Sequence, residues 1–161
     1  MSVVDKNQAI IDYLNTFEYF AKNSMFFNFS KIEEGNTQIT TVTTDEALNK
    51  PYVDGSVLKR YTFTIIDYKS IAYNAIIKRE GYTDENLEDM LDVQSIIDWI
   101  DEQNDNFNFP DFGEKCEIQS IKALTDMPKL NGVDVTINPP IAKYSVTIKV
   151  EYIDTSKCIC Y

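Results

Sequence analysis

The segment AKYSVTIKVEY, Ala142 to Tyr152, decides the fold that this sequence predicts. Apolar side chains occupy every second position, and polar side chains fill the positions between them. The apolar set is Ala142, Tyr144, Val146, Ile148, Val150 and Tyr152. A period of two is typical of a β-strand that has one buried face and one face in water. The segment therefore predicts a strand whose Val146 and Ile148 lie in the core of a sheet covered on one side.

Further strands are predicted upstream of this segment. From Leu58 to Lys69 the side chains of Tyr61, Phe63 and Ile65 alternate with threonines, which indicates a second half-buried strand. The β-branched stretch Asn36–Thr44 predicts either a short strand or an exposed arm. Glu117–Thr125 predicts a strand, with Asn131-Gly132 in the loop after it. Sheets with such clean alternation are mostly antiparallel.

Two helices are predicted beside the sheet. The first begins near Asp5 and runs for about five turns, with Ile10, Leu14, Phe17 and Ala21 on one face. The second runs from Asp84 to about Asn104. The pattern leaves the conformation of residues 28–50 and 70–83 undecided. The expected fold is thus a single α+β domain over residues 1–161, with a mostly antiparallel sheet of about four or five strands packed against two helices.

Composition favours a globular protein that needs no metal or disulfide. The chain has 161 residues, 43% of them hydrophobic, and no apolar run long enough to cross a bilayer. The first residues lack the pattern of a signal peptide, so we expect a soluble protein made in the cytoplasm. The three cysteines, Cys116, Cys158 and Cys160, are then expected to be free thiols.

No stretch carries the signature of a catalytic or cofactor site. There is no histidine for a triad or a zinc site, and glycine-rich nucleotide-binding motifs are absent. A calcium loop beginning at Asn104 fails, because its sixth and twelfth positions are Phe109 and Lys115. We therefore predict a protein with no catalytic residue, no metal and no cofactor.

The negative charge of the chain is concentrated in one segment. Glu80 to Glu114 contains twelve acids and no base, so the net charge of −11 leaves −11 + 12 = +1 for the remainder. Such a balance predicts no strongly basic surface for binding nucleic-acid phosphates. Like charges four residues apart also repel one another along a helix. The acidic helix is therefore expected either to face a DNA channel or to contact a basic neighbour. The neighbour is favoured, because Trp99 among the acids would supply the apolar anchor that a protein contact needs.

Trp99 lies among these acids, off the apolar stripe of the predicted helix. Two interpretations remain open: its own chain covers the ring, for example through the Phe107–Phe112 turn, or the ring anchors another subunit. The candidate subunit interface pairs this acidic surface with the polar face of the strand predicted from Ala142 to Tyr152. Its residues are Asp92, Trp99, Glu102, Lys143 and Lys149.

Three segments together resemble a known family. They are YVDGSVLKRYTFTI at 52–65, VQSIIDWIDEQNDNFNFPDFGEK at 93–115 and TINPPIAKYSVTIKVEYI at 136–153. Their order and content are similar to those of small tail terminator, or tail completion, proteins of phages and prophages of Gram-positive bacteria. The residues that carry the resemblance are Tyr52, Gly55, Tyr61, Phe63, Trp99, Gln103, Asn104, Pro110 and Gly113. The segment Asn28–Lys50 departs from the family pattern.

The resemblance implies a structural virion protein of the tail or neck, made in the bacterial cytoplasm. Members form a ring, usually hexameric, at the head-proximal end of the tail, where they stop tube polymerisation. The implied partners are further copies of the chain, the tail tube or sheath protein and the neck or head-completion protein. DNA passes through the lumen without specific binding, and no membrane is involved.

Two alternatives remain beside this expectation. The chain could be another head-tail connector or a tail tube component of the same virion. It could also be a free acidic binding module, such as a DNA-mimic inhibitor, that binds a basic partner.

Overall fold

The computed structural model describes residues 3–21, 23–41, 49–70, 85–137 and 139–156. These residues form a mixed α+β domain with one seven-stranded, mostly antiparallel sheet and three helices. The strands are β1 (Ser24–Phe27), β2 (Asn36–Thr41), β3 (Asn49–Pro51), β4 (Val57–Ser70), β5 (Cys116–Ala123), β6 (Lys129–Asp134) and β7 (Ile141–Asp154). Their main order is β1-β2-β4-β7-β5, with β3 paired to β4 and β6 paired to β7.

The two long strands, β4 and β7, form the centre of the sheet. Each has 14 residues, and they pair antiparallel without interruption from Val57↔Asp154 to Ser70↔Ile141. Phe63 lies directly opposite Ile148, and both side chains are fully buried. The predicted alternation of β7 is confirmed, since each apolar position from Ala142 to Tyr152 is buried.

The helices are α1 (Val3–Leu14), α2 (Glu18–Ala21) and α3 (Glu85–Asp105). The sequence predicted one helix through Ala21, but α1 ends at Leu14 and a turn separates it from α2. In that turn the Thr16 hydroxyl donates to the Tyr13 carbonyl at 2.7 Å, a local bond that competes with helix continuation. The break turns Phe17 out of the α1 stripe and towards α3.

The sheet has more strands than the four or five that the sequence predicted, because several short strands join it. β1 pairs with β2 in parallel, and β3 pairs with the start of β4. The Asn131-Gly132 pair was predicted to lie in a loop, but it lies within β6. There it occupies an irregularity between Leu130 and Val133, where the pairing with β7 shifts register. The undecided residues 71–83 lie outside the described part of the chain.

All three helices pack on one face of the sheet, here called the inner face. Helix α3 contributes Val93, Ile96, Ile97 and Ile100 to the same buried cluster as the inner side chains of β4 and β7. The other face, the outer face, carries polar side chains such as Thr62, Thr64 and Thr147. Two buried polar side chains of this face, Tyr68 and Ser145, are held by hydrogen bonds: Tyr68 donates to Gln38, and Asn131 donates to Ser145.

Replacing Ile148 by alanine tests the core assignment. The side chain is fully buried on a central strand, so the change should lower the free energy of unfolding by about 2–5 kcal/mol. Chemical denaturation measures this loss. The matched control, Thr62→Ala, lies on the outer face of β4 and should cost less than about 1 kcal/mol. Equal effects of the two changes would contradict the inner and outer assignment.

Candidate functional site: surfaces for assembly

The exposed surface of α3 carries the acidic charge that the sequence predicted. Asp92 and Glu102 are exposed, as are Asp98, Asp101 and Asp105. Burial first, and then repulsion by neighbouring carboxylates such as Asp98, raises the pKa of Asp101. The Lys69 ammonium lies 3.5 Å from Asp92 Oδ2 near one end of this surface. The remaining acids form a crowded negative surface along the helix.

Trp99 is covered by its own chain. The indole stacks on the Phe17 ring, with centroids 4.8 Å apart and planes 9° from parallel, and also contacts Tyr13 at 5.1 Å. The covering residues come from α1 and the turn after it. The sequence had suggested the Phe107–Phe112 turn as one segment that could cover the ring. The break between α1 and α2 is what places Phe17 against the indole. Most of the aromatic surface is therefore used within the subunit.

The two lysines of the predicted interface lie on the outer face. Lys143 and Lys149 alternate with the buried side chains of β7, and Arg60 and Lys122 share their face. Glu151 bridges two of these cations, 3.1 Å from Arg60 and 3.3 Å from Lys149. Burial raises the pKa of Glu151, but the hydrogen bonds from Arg60 and Lys149 outweigh it and hold that pKa below its ordinary value.

The structure therefore places the predicted interface residues in two separate groups. Asp92, Trp99 and Glu102 lie on α3, on the inner side of the sheet, whereas Lys143 and Lys149 lie on the outer face. The sheet stands between them. A contact between the α3 acids and these lysines would have to join two copies of the chain.

A buried polar cluster under α2 was not predicted from the sequence. Asp67 on β4 points to the inner face and is almost fully buried. It accepts hydrogen bonds from the Tyr19 hydroxyl and from Thr37, the latter at 3.4 Å. The Lys69 ammonium lies 3.8 Å from Asp67 and 5.3 Å from the centre of the Tyr19 ring. The cluster thus joins α2, β2 and β4, and reaches α3 through the Lys69–Asp92 pair.

Burial dominates the ionisation of this cluster. It raises the pKa of Asp67, against the lowering effects of the hydrogen bond from Tyr19 and the charge of Lys69. Burial, followed by the negative charge of Asp67, raises the pKa of Tyr19 far above its ordinary value. A tyrosine that stays protonated is a hydrogen-bond donor, so the arrangement holds elements together. One signal was visible in the sequence: Asp67 continues the alternating series Tyr61, Phe63, Ile65.

A second buried polar contact ties α1 to the sheet. The Lys6 ammonium donates to the Tyr152 hydroxyl at 2.7 Å and lies 4.5 Å from the centre of the same ring. Phe112 packs edge-on against Tyr152, with centroids 5.4 Å apart. Cys116 is nearby as a free thiol, and burial raises its pKa. Cys158 and Cys160 lie outside the described residues.

An open groove runs between α1 and the turn that follows α3. It has a volume of about 580 Å³ and is lined by Gln8, Ala9, Asp12, Tyr13, Thr16, Asn108, Phe109, Pro110 and Asp111. We call it the α1 groove. The turn is held there because the Tyr13 hydroxyl donates to the Asn108 carbonyl at 2.9 Å. The groove has no local signal in the sequence, because it combines two segments that are about 95 residues apart.

No model of a known protein family matches the chain, and no curated protein matches its sequence. Within the described ranges, no group of acidic and cysteine side chains is placed to hold a metal ion. The described helices include none that is long and apolar enough to cross a membrane.

Replacing Trp99 by alanine tests whether the indole stabilises its own subunit. Loss of the stack on Phe17 should lower the free energy of unfolding by about 2–3 kcal/mol, less than for a fully buried ring. Trp99→Phe should retain more than half of this stability, since an aromatic ring can still stack. Circular dichroism during denaturation measures both. An unchanged melting curve for Trp99→Ala would assign the indole to another role.

Asp67 should make stability depend on pH. Below its ordinary value of 3.8 the carboxyl is protonated in both folded and unfolded chains. As the pH rises above that value, the Asp67 carboxyl ionises first in the unfolded chain. The free energy of unfolding therefore falls until the pH passes the raised pKa that Asp67 has in the folded protein. We therefore expect Asp67→Asn, which cannot ionise, to gain stability relative to the unaltered protein as the pH rises from about 4 towards neutral.

Thermal melts across this range measure the difference, and carbon NMR of the carboxyl group follows its titration directly. The charged and polar neighbours Tyr19, Thr37, Lys69 and Asp92 are unchanged in the variant. A difference in stability that stays constant over the whole pH range would contradict the burial effect.

Proposed function

We propose that this chain is a structural subunit of a phage or phage-like virion, a tail terminator that forms a ring at the head-proximal end of the tail. The ring, hexameric by the resemblance, stops polymerisation of the tube and joins it to the neck. The observation that carries the proposal is the separation of charge across one sheet. Acids line α3 on the inner side, and Arg60, Lys122, Lys143 and Lys149 lie on the outer face.

The acidic surface suits the wall of a DNA channel. Phosphates are repelled by a row of exposed carboxylates, so DNA passes without being held. A protein neighbour for this surface was favoured because Trp99 would serve as its apolar anchor. The indole is instead stacked on Phe17 of its own chain. What remains exposed on α3 is mainly charge. We therefore place α3 towards the lumen.

The basic outer face suits a protein contact. Threonines and ion pairs make it polar. On the outer side of β4, β5 and β7, the four bases outnumber the two acids, Glu117 and Glu151. Charge of this kind guides and orients association more than it strengthens it. We assign this face to the tail tube protein, the sheath or the neck protein. No step of this function calls for a catalytic residue or a cofactor.

A second candidate function is a free acidic binding module, such as a DNA-mimic inhibitor. The row of exposed carboxylates on α3 favours it, because such a row presents charge as a phosphate backbone does. Another connector or tube protein of the virion would share the assembly behaviour and differ in its position within the particle.

Size in solution and tube length test the proposal. We expect analytical ultracentrifugation to detect a closed oligomer, and purified protein added to growing tail tubes to halt them, as seen by electron microscopy. A monomer at every concentration, with tubes of unlimited length, would contradict the proposal and favour the acidic module.

Charge variants then separate the two positions of α3. Asp92→Asn combined with Glu102→Gln should leave assembly intact and increase DNA retention by the ring, if α3 lines the lumen. Weaker assembly in this variant, matched by weaker assembly in Lys143→Glu with Lys149→Glu, would instead place the acids against the lysines of a neighbouring copy.

A further inference from the structure

The loop between β5 and β6 exposes apolar side chains although its conformation is well defined. Leu124, Met127 and Leu130 are 54%, 59% and 53% exposed. The loop is held by the Thr125 hydroxyl, which donates to the Met127 carbonyl at 2.7 Å, and by Gln94, which donates to the Asp126 carbonyl at 2.9 Å. We call residues 124–130, which are this loop and the first two residues of β6, the β5–β6 loop. Its ordered, exposed apolar side chains are typical of a protein contact.

The α1 groove offers a surface of matching chemistry. Ala9, Tyr13, Phe109 and Pro110 give it an apolar lining, and Asp12 and Asp111 supply the charge. No lysine or arginine is among its lining residues. The β5–β6 loop contains Lys129, and Lys122 lies just before it on β5. An apolar segment bearing lysine therefore fits the groove better than an acidic one.

Phe107 beside the groove is unusual in two ways. Its φ of 55° places it in the left-handed region that normally requires glycine at the end of a helix. The hydrogen bonds from Phe107 N to the Asn104 carbonyl and from Asn108 N to the Gln103 carbonyl complete that helix end. The ring is 79% exposed and approaches Phe109 edge-on, with centroids 6.3 Å apart. Both the backbone and the exposed ring cost stability, which is typical of a contact residue.

The β5–β6 loop lies beside the middle of α3, and the groove lies beyond the end of that helix. The loop contacts Gln94, whereas the groove is formed by the turn that follows the last helical residue, Asp105. Thirteen residues separate Gln94 from Phe107, which corresponds to about 20 Å along a helix. A contact between the two surfaces would therefore join two copies of the chain arranged head to tail.

We propose that the β5–β6 loop of one copy inserts into the α1 groove of the next. Met127 and Leu130 would pack against Tyr13, Phe109 and Phe107, and Lys129 would face the carboxylates of Asp12 and Asp111. This inference rests on the proposed ring and specifies its subunit interface. A contact between two different surfaces repeats from copy to copy and closes a ring when the rotation allows. Helix α3 then lies along the circumference of the ring.

Charge reversal tests this contact. Lys129→Glu or Asp12→Lys alone should weaken assembly by about tenfold or more, and the double variant should restore it to within about threefold. Lys31→Glu is the matched control, because it makes the same charge change on an exposed loop between β1 and β2, and Lys31 is not among the residues that line the groove. Sedimentation equilibrium gives the association constants, and circular dichroism verifies folding.

Phe107→Gly provides an independent test with opposite effects on folding and assembly. Glycine relieves the left-handed backbone, so the melting temperature of the subunit should rise by about 2–4 °C. Assembly should weaken by about tenfold, since the exposed ring is lost. The contact would be supported if the double variant Lys129→Glu with Asp12→Lys restores assembly and Phe107→Gly weakens it. If the unaltered protein forms rings and halts tubes while every variant assembles equally well, the interface is wrong and the proposed function stands. An unaltered protein that remains monomeric and leaves tubes unlimited overturns both.

Discussion

The continuous pairing of β4 with β7 is the constraint on which the rest of the molecule depends. Fourteen residues of each strand pair without a register shift. The pairing puts Phe63, Ile65, Val146 and Ile148 on one side, and that side receives all three helices. Every other strand in the described part of the sheet joins this pair directly or through β2. A register slip of one residue would move these apolar side chains into water, so this ladder fixes which face becomes core.

The elements that the sequence predicted are those with enough residues to show a period. β7, β4 and α3 each contain 14 or more residues, and all three were recognised from their spacing. β1 and β3 have four and three residues, too few for a period, and depend on a neighbouring strand for their hydrogen bonds. The break after Leu14 was missed because Phe17 and Ala21 continue the apolar spacing of α1. The stacking of Phe17 on Trp99 is a tertiary contact, and it overrides that spacing.

The candidate surfaces were predictable only in part, for the same reason. The sequence located the acids of α3 and the lysines of β7, because charge and strand alternation are local properties. It did not reveal that the sheet would separate them, nor that the indole of Trp99 would be stacked on Phe17. The α1 groove and the Asp67 cluster each combine distant segments, and their chemistry exists only after folding. Asp67 alone had a local signal, an acid at a position whose alternation predicts burial.

The irregularity in β6 has a consequence for how copies can associate. Strand edges are templates for addition of further strands, and unchecked addition leads to fibrous aggregates. Within the described sheet, the pairing of β6 with β7 shifts between Leu130 and Val133, and Gly132 has a φ of 121°. A backbone bent in this way offers no straight row of amide and carbonyl groups to an added strand. Growth at this edge is therefore limited to contacts between side chains, which favours an assembly of finite size over an open-ended one.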